Sequence, residues 1–431
     1  MAYYSLKIST SYHFFDKYSV IRRLMKPPFA PHTRTANKQY TFAPRMAKTP
    51  KSFIREILKV TENPDIISFA GGLPNPALID VEGIARASAR VLADDGRSVL
   101  QYSTTEGYLP LRRFIAERYK KRLGLSIHSD EILITNGSQQ CLDLIGKVFI
   151  DTGDHIAIER PGYLGAIQAF SLYEPVFHPI NLSDEGPDPS MLHDACRHHD
   201  IRLFYGVPNS QNPSGITYSE KQRKEVAGIL EKTDTLYIED DAYGELNFSG
   251  KSLPSLRKFL PEQTIITGSF SKILAPGMRL GWIVAPREIM EQIVIAKQAS
   301  DLHSNYLSQR IAFEYLQQET IDTHIAKIQN AYKNQCECML DVMADTFPDS
   351  VTYTRPTGGM FVWITLPDGI SSLDVFAAAL KDHVAVLPGT PFYIDGGGKD
   401  TMRLNFSNST DPKIITGIKR LALVIKKQCG E

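Results

Sequence analysis

The chain has 431 residues, with 48 Lys plus Arg balanced by 48 Asp plus Glu, 42% hydrophobic residues, 29 Gly and 26 Pro. That composition argues against a disordered chain, a collagen-like fibre and a general polyanion binder, so no nucleic-acid partner is expected. No apolar run approaches the roughly 20 residues of a membrane helix, and a cytoplasmic protein of two or three domains, or one large α/β domain with an appendage, is expected at about 150 residues per domain.

Residues 1–48 differ from the rest: nine Lys or Arg stand against one acid, Asp16. No apolar core suited to a secretory signal follows the start, and three readings stay open: a flexible arm, an organelle transit peptide, or an upstream start codon with translation beginning near Met25 or Met46. From Ser52 onward helical and strand-like segments alternate, which indicates a mainly parallel sheet covered by helices. After Pro110 the positions Leu111, Phe114, Ile115, Arg118 and Tyr119 follow a helical period. A short apolar strand over 131–135 leads into Asn136-Gly-Ser-Gln-Gln140 and a helix through Ile150. Further strands are expected at 155–159, 202–207, 235–239, 264–268 and 281–285, with helices near 164–172 and 220–231. Beyond Lys327 a long helix leads to strands at 361–366, 385–387 and 401–406 and a helix at 373–383, the pattern of a smaller α+β domain.

The chemistry-bearing residues cluster where strands end. Gly137-Ser138-Gln139 follows a strand and opens a helix, so backbone N–H groups, a hydroxyl and the helix dipole suit a phosphate, although Ser138 as a plain N-cap is the alternative. The segment 268–281 places Ser269, Ser271, Lys272 and Arg279 after another strand. An arginine fork grips phosphate oxygens, and a lysine beside fixed cations has its pKa lowered enough to act as an amine nucleophile. Asn212 sits in a Pro and Gly rich turn, and Asp240 with Tyr243 closes a further strand. In open α/β sheets ligands bind beyond the carboxyl ends of the strands, where all four clusters fall.

The five cysteines (141, 196, 336, 338 and 429) match neither a disulfide framework nor a metal-ligand spacing, which suits a reducing compartment. His193, Cys196, His198 and His199 invite a metal, but their spacing matches no zinc signature and an exposed helix end is the simpler home, so no metal is expected. Gly396-Gly-Gly398 is a turn.

The ordered set Gly137-Ser-Gln139, Pro161-Gly-Tyr163, Asn212-Pro-x-Gly215, Asp240-x-x-Tyr243, Ser269-x-Ser-Lys272, Arg279-x-Gly281 and Arg403-x-Asn405 resembles the pyridoxal-phosphate enzymes of the aspartate aminotransferase fold, the class I and II aminotransferases. The match runs from about Ser52 to Leu423. Its opening, Ser52-Phe-Ile-Arg55 and Ser68-Phe-Ala-Gly-Gly-Leu-Pro-Asn-Pro76, is similar to the 2-aminoadipate, kynurenine and broad-range subgroup. The resemblance implies a fold-type I α/β chain: residues 96–327 form a large domain with a mainly parallel seven-stranded sheet flanked by helices, and 328–431 a smaller α+β domain. Residues 49–95 would join the small domain and the active-site entrance.

By the same resemblance Lys272 holds pyridoxal 5'-phosphate as a Schiff base and then moves the substrate proton. Asp240 pairs with the pyridine nitrogen, Asn212 and Tyr243 hydrogen-bond the ring oxygen, and Tyr163 stacks on the ring. Ser138, Gln139, Ser269, Ser271 and Arg279 hold the phosphate, with Tyr102 lent by the second subunit of a homodimer. Arg403 clamps the substrate carboxylate, Gly71 and Gly72 approach the substrate closely, and Arg55 meets a distal carboxylate or is an ordinary surface arginine. The implied reaction moves the amino group of an L-amino acid (2-aminoadipate, aromatic or branched-chain type) to a 2-oxo acid such as 2-oxoglutarate by a ping-pong route. The rivals are a β-eliminating lyase on the same fold and, more distantly, a non-enzymatic regulatory module, which places a winged-helix domain ahead of such a fold where about 48 residues would not suffice.

Overall fold

The computed structural model of the protein describes residues 40–48, 63–318 and 321–430. The basic arm before residue 40 and Arg55 lie outside the described residues.

The strands in chain order are β1 (Ile67–Ser68), β2 (Ile132–Thr135), β3 (His155–Arg160), β4 (Val176–Ser183), β5 (Gly186–Pro187), β6 (Ile201–Gly206) and β7 (Leu236–Asp240). They continue with β8 (Thr264–Ser269), β9 (Gly281–Val284), β10 (Thr352–Tyr353), β11 (Phe361–Thr365), β12 (Val384–Ala385), β13 (Leu387–Pro388) and β14 (Thr401–Asn405). After a one-turn helix at Arg45–Lys48, the helices are α1 (Val81–Val99), α2 (Leu109–Leu123), α3 (Ser138–Phe149), α4 (Leu164–Ser171), α5 (Pro189–His198) and α6 (Glu220–Leu230). The chain closes with α7 (Arg287–Asp301), α8 (Tyr306–Gln318), α9 (Ile321–Thr346), α10 (Ser372–Lys381) and α11 (Asp411–Cys429).

The main sheet has eight strands in the order β2-β9-β8-β7-β6-β3-β4-β5. Neighbours from β8 through β4 run parallel, whereas β9 runs antiparallel to both β8 and β2. Two flips restore direction, so β2 ends on the same side as β3, β6, β7 and β8. Helices cover both faces, and the central strands accordingly read as continuous apolar runs. All six residues of β8 are buried. Each buried Ile contributes roughly 1.5–3 kcal/mol, so β8 is a rigid rail that fixes the loop after Ser269.

Seven strands were implied and the described residues form eight, because β5 turns back onto β4. Strand β4 itself has no apolar signature. Its Val176, Asn181 and Ser183 are exposed and Pro179 interrupts it, as suits a strand whose outer neighbour is only two residues long.

A second, antiparallel sheet has the order β10-β11-β14-β13, and β1 pairs in parallel with β12 beside it. The expected strand over 385–387 is resolved into β12 and β13, which join different sheets. Helix α9 packs along α11. One continuous buried cluster joins the two sheets, running from Ile134 and Ile283 to Leu404 and Ile418. Arg403 sits at the centre of the smaller sheet, opposite Trp363 on one side and Leu387 on the other.

Candidate active site

The side on which β2, β3, β6, β7 and β8 end carries the candidate residues. Gly137 leaves β2 with a positive φ of +80° and N-caps α3. A side chain there would collide with the Arg279 guanidinium, which also donates to the Asn136 carbonyl at 3.3 Å. Gly281 opens β9 so close to this turn that a Cβ would lie 2.8 Å from the Ser138 nitrogen. Because β9 lies between β2 and β8, Gly281 stands opposite both Thr135 and Ser269. The first turn of α3 offers N–H groups without intrahelical partners, and Arg279 itself is held in the left-handed region (φ +53°). That conformation costs about 1–3 kcal/mol in a residue with a side chain. Ser269 is buried and accepts from the Ser271 N–H at 3.1 Å. The result is a glycine-walled cradle of hydroxyls, N–H groups and a guanidinium, which fits a phosphate.

Beyond the cradle, the Lys272 amine donates to the Gly72 carbonyl at 2.8 Å, across 200 residues of sequence. Burial, with help from Arg403 and Arg279, pulls its pKa down to about 8. The Arg403 guanidinium is fully buried. It donates to Asn212 Oδ1 and to the Ala70 carbonyl, both at 2.8 Å, and lies 4.2 Å above the Phe361 ring. Among the described residues its Nε has no partner, and burial lowers its pKa to about 10. Among the described residues no carboxylate lies within ion-pair distance of it. A buried cation without an internal counter-ion is costly, which marks the place of an incoming anion.

Asp240 ends β7 fully buried. Its Oδ2 accepts from the Tyr205 hydroxyl at 2.7 Å, while among the described residues its Oδ1 has no partner of good hydrogen-bond geometry, the Thr267 hydroxyl lying near enough only to favour the charged carboxylate. Burial raises its pKa to about 6, against the lowering effect of the Tyr205 and Thr267 hydroxyls. An unsatisfied buried carboxylate oxygen fits a protonated ring nitrogen. With the cradle, this is the fit expected for pyridoxal phosphate. The Tyr243 hydroxyl is held far above its ordinary pKa by burial and by Tyr163, and its ring meets Phe361 edge-on at 6.0 Å. Burial and the Asp240 carboxylate push Tyr163 up to about 12.

Lys272, Gly72, Arg403, Asn212, Tyr243, Asp240, Tyr163, Arg279, Ser138, Ser269 and Ser271 are therefore brought to one side of the sheet. Gln139 is exposed there, its side-chain amide donating to the Gly165 carbonyl at 2.8 Å. Tyr102 stands apart, 79% exposed, with its ring edge-on to His303 at 5.8 Å.

Sequence reasoning passed over the residues that hold these groups in place. Glu159, at the buried end of β3, accepts from the Val207 N–H at 2.9 Å, Gln211 Nε2 at 3.0 Å and the Tyr218 hydroxyl. Gln211 also donates to the Pro161 carbonyl at 2.8 Å. Glu159 thus ties the loop carrying Asn212 to the one carrying Tyr163. Burial raises its pKa to about 7. A lone carboxylate ending an apolar strand (His155-Ile-Ala-Ile-Glu159) is the signal that could have found it.

The lowered pKa of Lys272 has a direct consequence in the cofactor-free protein. At pH 8 about half of these amines are neutral, against roughly 1 in 300 for an ordinary lysine. Reaction with an amine-directed reagent, followed peptide by peptide in mass spectrometry, is expected to rise through a midpoint near pH 8 at Lys272 and well above it at exposed lysines. A midpoint near 10.5 at Lys272 would remove burial and the two arginines as its activators.

The model of the family "Aminotransferase class I and II" matches residues 65–421. An aromatic-amino-acid aminotransferase of Thermococcus litoralis is 42% identical, over 91% of this chain and 96% of its own. An α-aminoadipate aminotransferase of Thermus thermophilus, solved in complex with N-(5'-phosphopyridoxyl)-L-leucine, is 40% identical and superposes with a TM-score of 0.85, covering 90% of this chain and 98% of its own. A kynurenine aminotransferase of Pyrococcus horikoshii is 41% identical with a TM-score of 0.85, over 90% and 97% of the two chains. With this match spanning both sheets and every element of the site, the chain belongs to the class I and II aminotransferases, transaminases of the pyridoxal-phosphate fold type I.

Proposed function

We propose that the protein transfers the amino group of a 2-aminoadipate, aromatic or branched-chain L-amino acid to a 2-oxo acid such as 2-oxoglutarate, in two half-reactions at one site. The observation that carries this is the buried, uncompensated Arg403 beside the amine of Lys272. A cation fixed by two hydrogen bonds and a ring face binds the carboxylate common to amino and oxo acids in a bidentate pair. The relatives named for aromatic, α-aminoadipate and kynurenine donors supply the range of side chains.

Bound pyridoxal phosphate supplies an electron sink for the pair left at the substrate Cα. Ser138, Gln139, Ser269, Ser271 and Arg279 would hold its phosphate, and the free Oδ1 of Asp240 would take its ring N–H. Asn212 and Tyr243 would hydrogen-bond the ring oxygen, with Tyr163 against the ring face. Arg403, holding the carboxylate, sets which bond at Cα stands perpendicular to the ring, and that choice favours proton removal over decarboxylation. Lys272 Nζ, whose proton affinity burial and the two arginines lower, takes the proton from Cα. Gly72, whose carbonyl accepts from that amine, keeps the approach free of side chains. A cytoplasmic setting is part of the same proposal, supported by five cysteines whose spacing matches no disulfide framework; among the described residues no helix is long and apolar enough to cross a membrane.

Single L-amino acids added without an acceptor test this reading. One equivalent of the matching 2-oxo acid per chain, and no more, is expected from at least one of the three donor classes. Repeated release of pyruvate and ammonia from cysteine-type substrates, with no donor giving a stoichiometric burst, would replace it with the lyase.

We further propose a homodimer in which Tyr102 reaches the partner's phosphate cradle. A tyrosine this exposed, with its ring held edge-on against His303, supports it. Tyr102→Phe removes one hydrogen bond to a charged group, worth about 1.5–3 kcal/mol. The cofactor Kd is therefore expected to rise roughly 10- to 150-fold, while the sedimentation of the dimer is unchanged. An unaltered Kd would remove Tyr102 from the site.

A further inference from the structure

Three histidines meet at the opposite end of the large sheet. His155 starts β3, His178 lies on β4, and His199 immediately follows α5. Parallel pairing sets His155 opposite Val176 and Ile201, and His178 opposite Ala157. His155 and His178 are therefore diagonal neighbours on one face, and His199, two residues before Ile201, falls on that face as well. One ring nitrogen from each lies within 4.8 Å of the others. His155 Nδ1 and His178 Nε2 are 2.7 Å apart, a contact that requires one N–H and one lone pair. The rings are 4.3–5.0 Å apart centre to centre.

We infer that His155, His178 and His199 form a binding site for a divalent transition metal of the zinc type. Imidazole nitrogens suit such ions, and three of them leave a fourth position for water. Around a zinc ion with bonds of about 2.0–2.1 Å, tetrahedral ligands stand roughly 3.3 Å apart. The His155 and His178 nitrogens, now 2.7 Å apart, would open slightly around the ion, and the wider separations, up to 4.8 Å, would close by ring rotation. His199 is exposed and the other two are half-buried, so an ion has an open path. The three ligands come from separate segments, 23 and 21 residues apart in sequence, which is why no zinc spacing appears in the chain; His193, His198 and Cys196 are not among them. Strand β3 puts about 16 Å between this site and the loops bearing the chemistry. The ion would fasten β3, β4 and the approach to β6 together, and would not touch Lys272.

The test uses the full-length, cofactor-loaded protein stripped with a chelator, titrated with Zn2+ against a competing indicator and, separately, with Co2+ followed by its visible spectrum. The wild type is expected to bind one equivalent more than either His199→Gln or His178→Ala, with a tetrahedral Co2+ spectrum that both variants lose. Loss of even an outer partner of a metal ligand weakens binding at least about tenfold, so each ligand substitution should do no less. His199→Gln changes an exposed ring and guards against misfolding of the other variant. Zn2+ should raise the thermal midpoint of the wild type and leave that of His199→Gln unmoved, with transaminase turnover alike in both. Equal Zn2+ stoichiometry and affinity in wild type and His199→Gln, or no binding at micromolar Zn2+, would reduce the cluster to a stack of rings that holds no ion and overturn the inference.

Discussion

Lys272→Ala is expected to leave a folded protein that no longer attaches pyridoxal phosphate covalently and whose transamination rate falls by about 10⁴-fold or more. The lysine has two duties under the proposed function, and alanine performs neither. It anchors the cofactor, and it carries the proton at Cα, a contribution of typically 10²–10⁴ by itself. The fold has little need of it. Among the described residues its amine donates to the Gly72 carbonyl alone, and it sits uncomfortably near two arginines, so removing it relieves repulsion. Borohydride reduction followed by denaturation and intact-mass measurement reads the first duty. The wild type should keep the cofactor's added mass and the variant should lose it. Covalent retention in the variant would move the assignment to another lysine.

Arg403→Ala should lower kcat/KM by roughly 30- to 5,000-fold, the equivalent of about 2–5 kcal/mol for truncating one partner of a buried charge pair. Arg403→Lys should fall between it and the wild type. Lysine keeps the charge but not the planar fork, and at such sites the two are not interchangeable. The loss should be the same for every amino donor, since the carboxylate is common to all, and cofactor affinity should stay within a few fold. A loss confined to acidic donors would mean that Arg403 reads the side chain, and the proposed clamp would have to be sought elsewhere. Because Arg403 also joins Ala70 to Asn212, thermal stability of each variant separates a local from a global effect.

Much of this site was legible because its chemistry rests on residues in short motifs at strand ends. Lys272, Asp240, Asn212 and Arg279 each follow an apolar run by a few positions, and Arg403 stands inside one. What escaped was whatever depends on register or on partners far along the chain. Tyr205 reads as an ordinary strand residue until β6 and β7 pair and set its hydroxyl on Asp240. Glu159 reads as an acid at a strand end until Gln211 and Tyr218 fold back over it. Strand β4 was invisible because an almost uncovered strand needs no apolar alternation. His155, His178 and His199 were separate residues until parallel pairing aligned them.

The position of β9 carries a consequence for how the protein is made. Residue 132 of β2 pairs with residue 284 of β9, a separation of 284 − 132 = 152 residues. No shorter piece of chain can complete that side of the sheet. During synthesis the Ile132-Leu-Ile134 edge must wait, for roughly 8–30 s at about 5–20 residues per second, for the partner strand that covers it. Unpaired apolar edges are sticky, and contacts this distant in sequence form slowly. The hairpin that braces the phosphate cradle in the finished enzyme is thus the segment that leaves the nascent chain most dependent on protection from its neighbours.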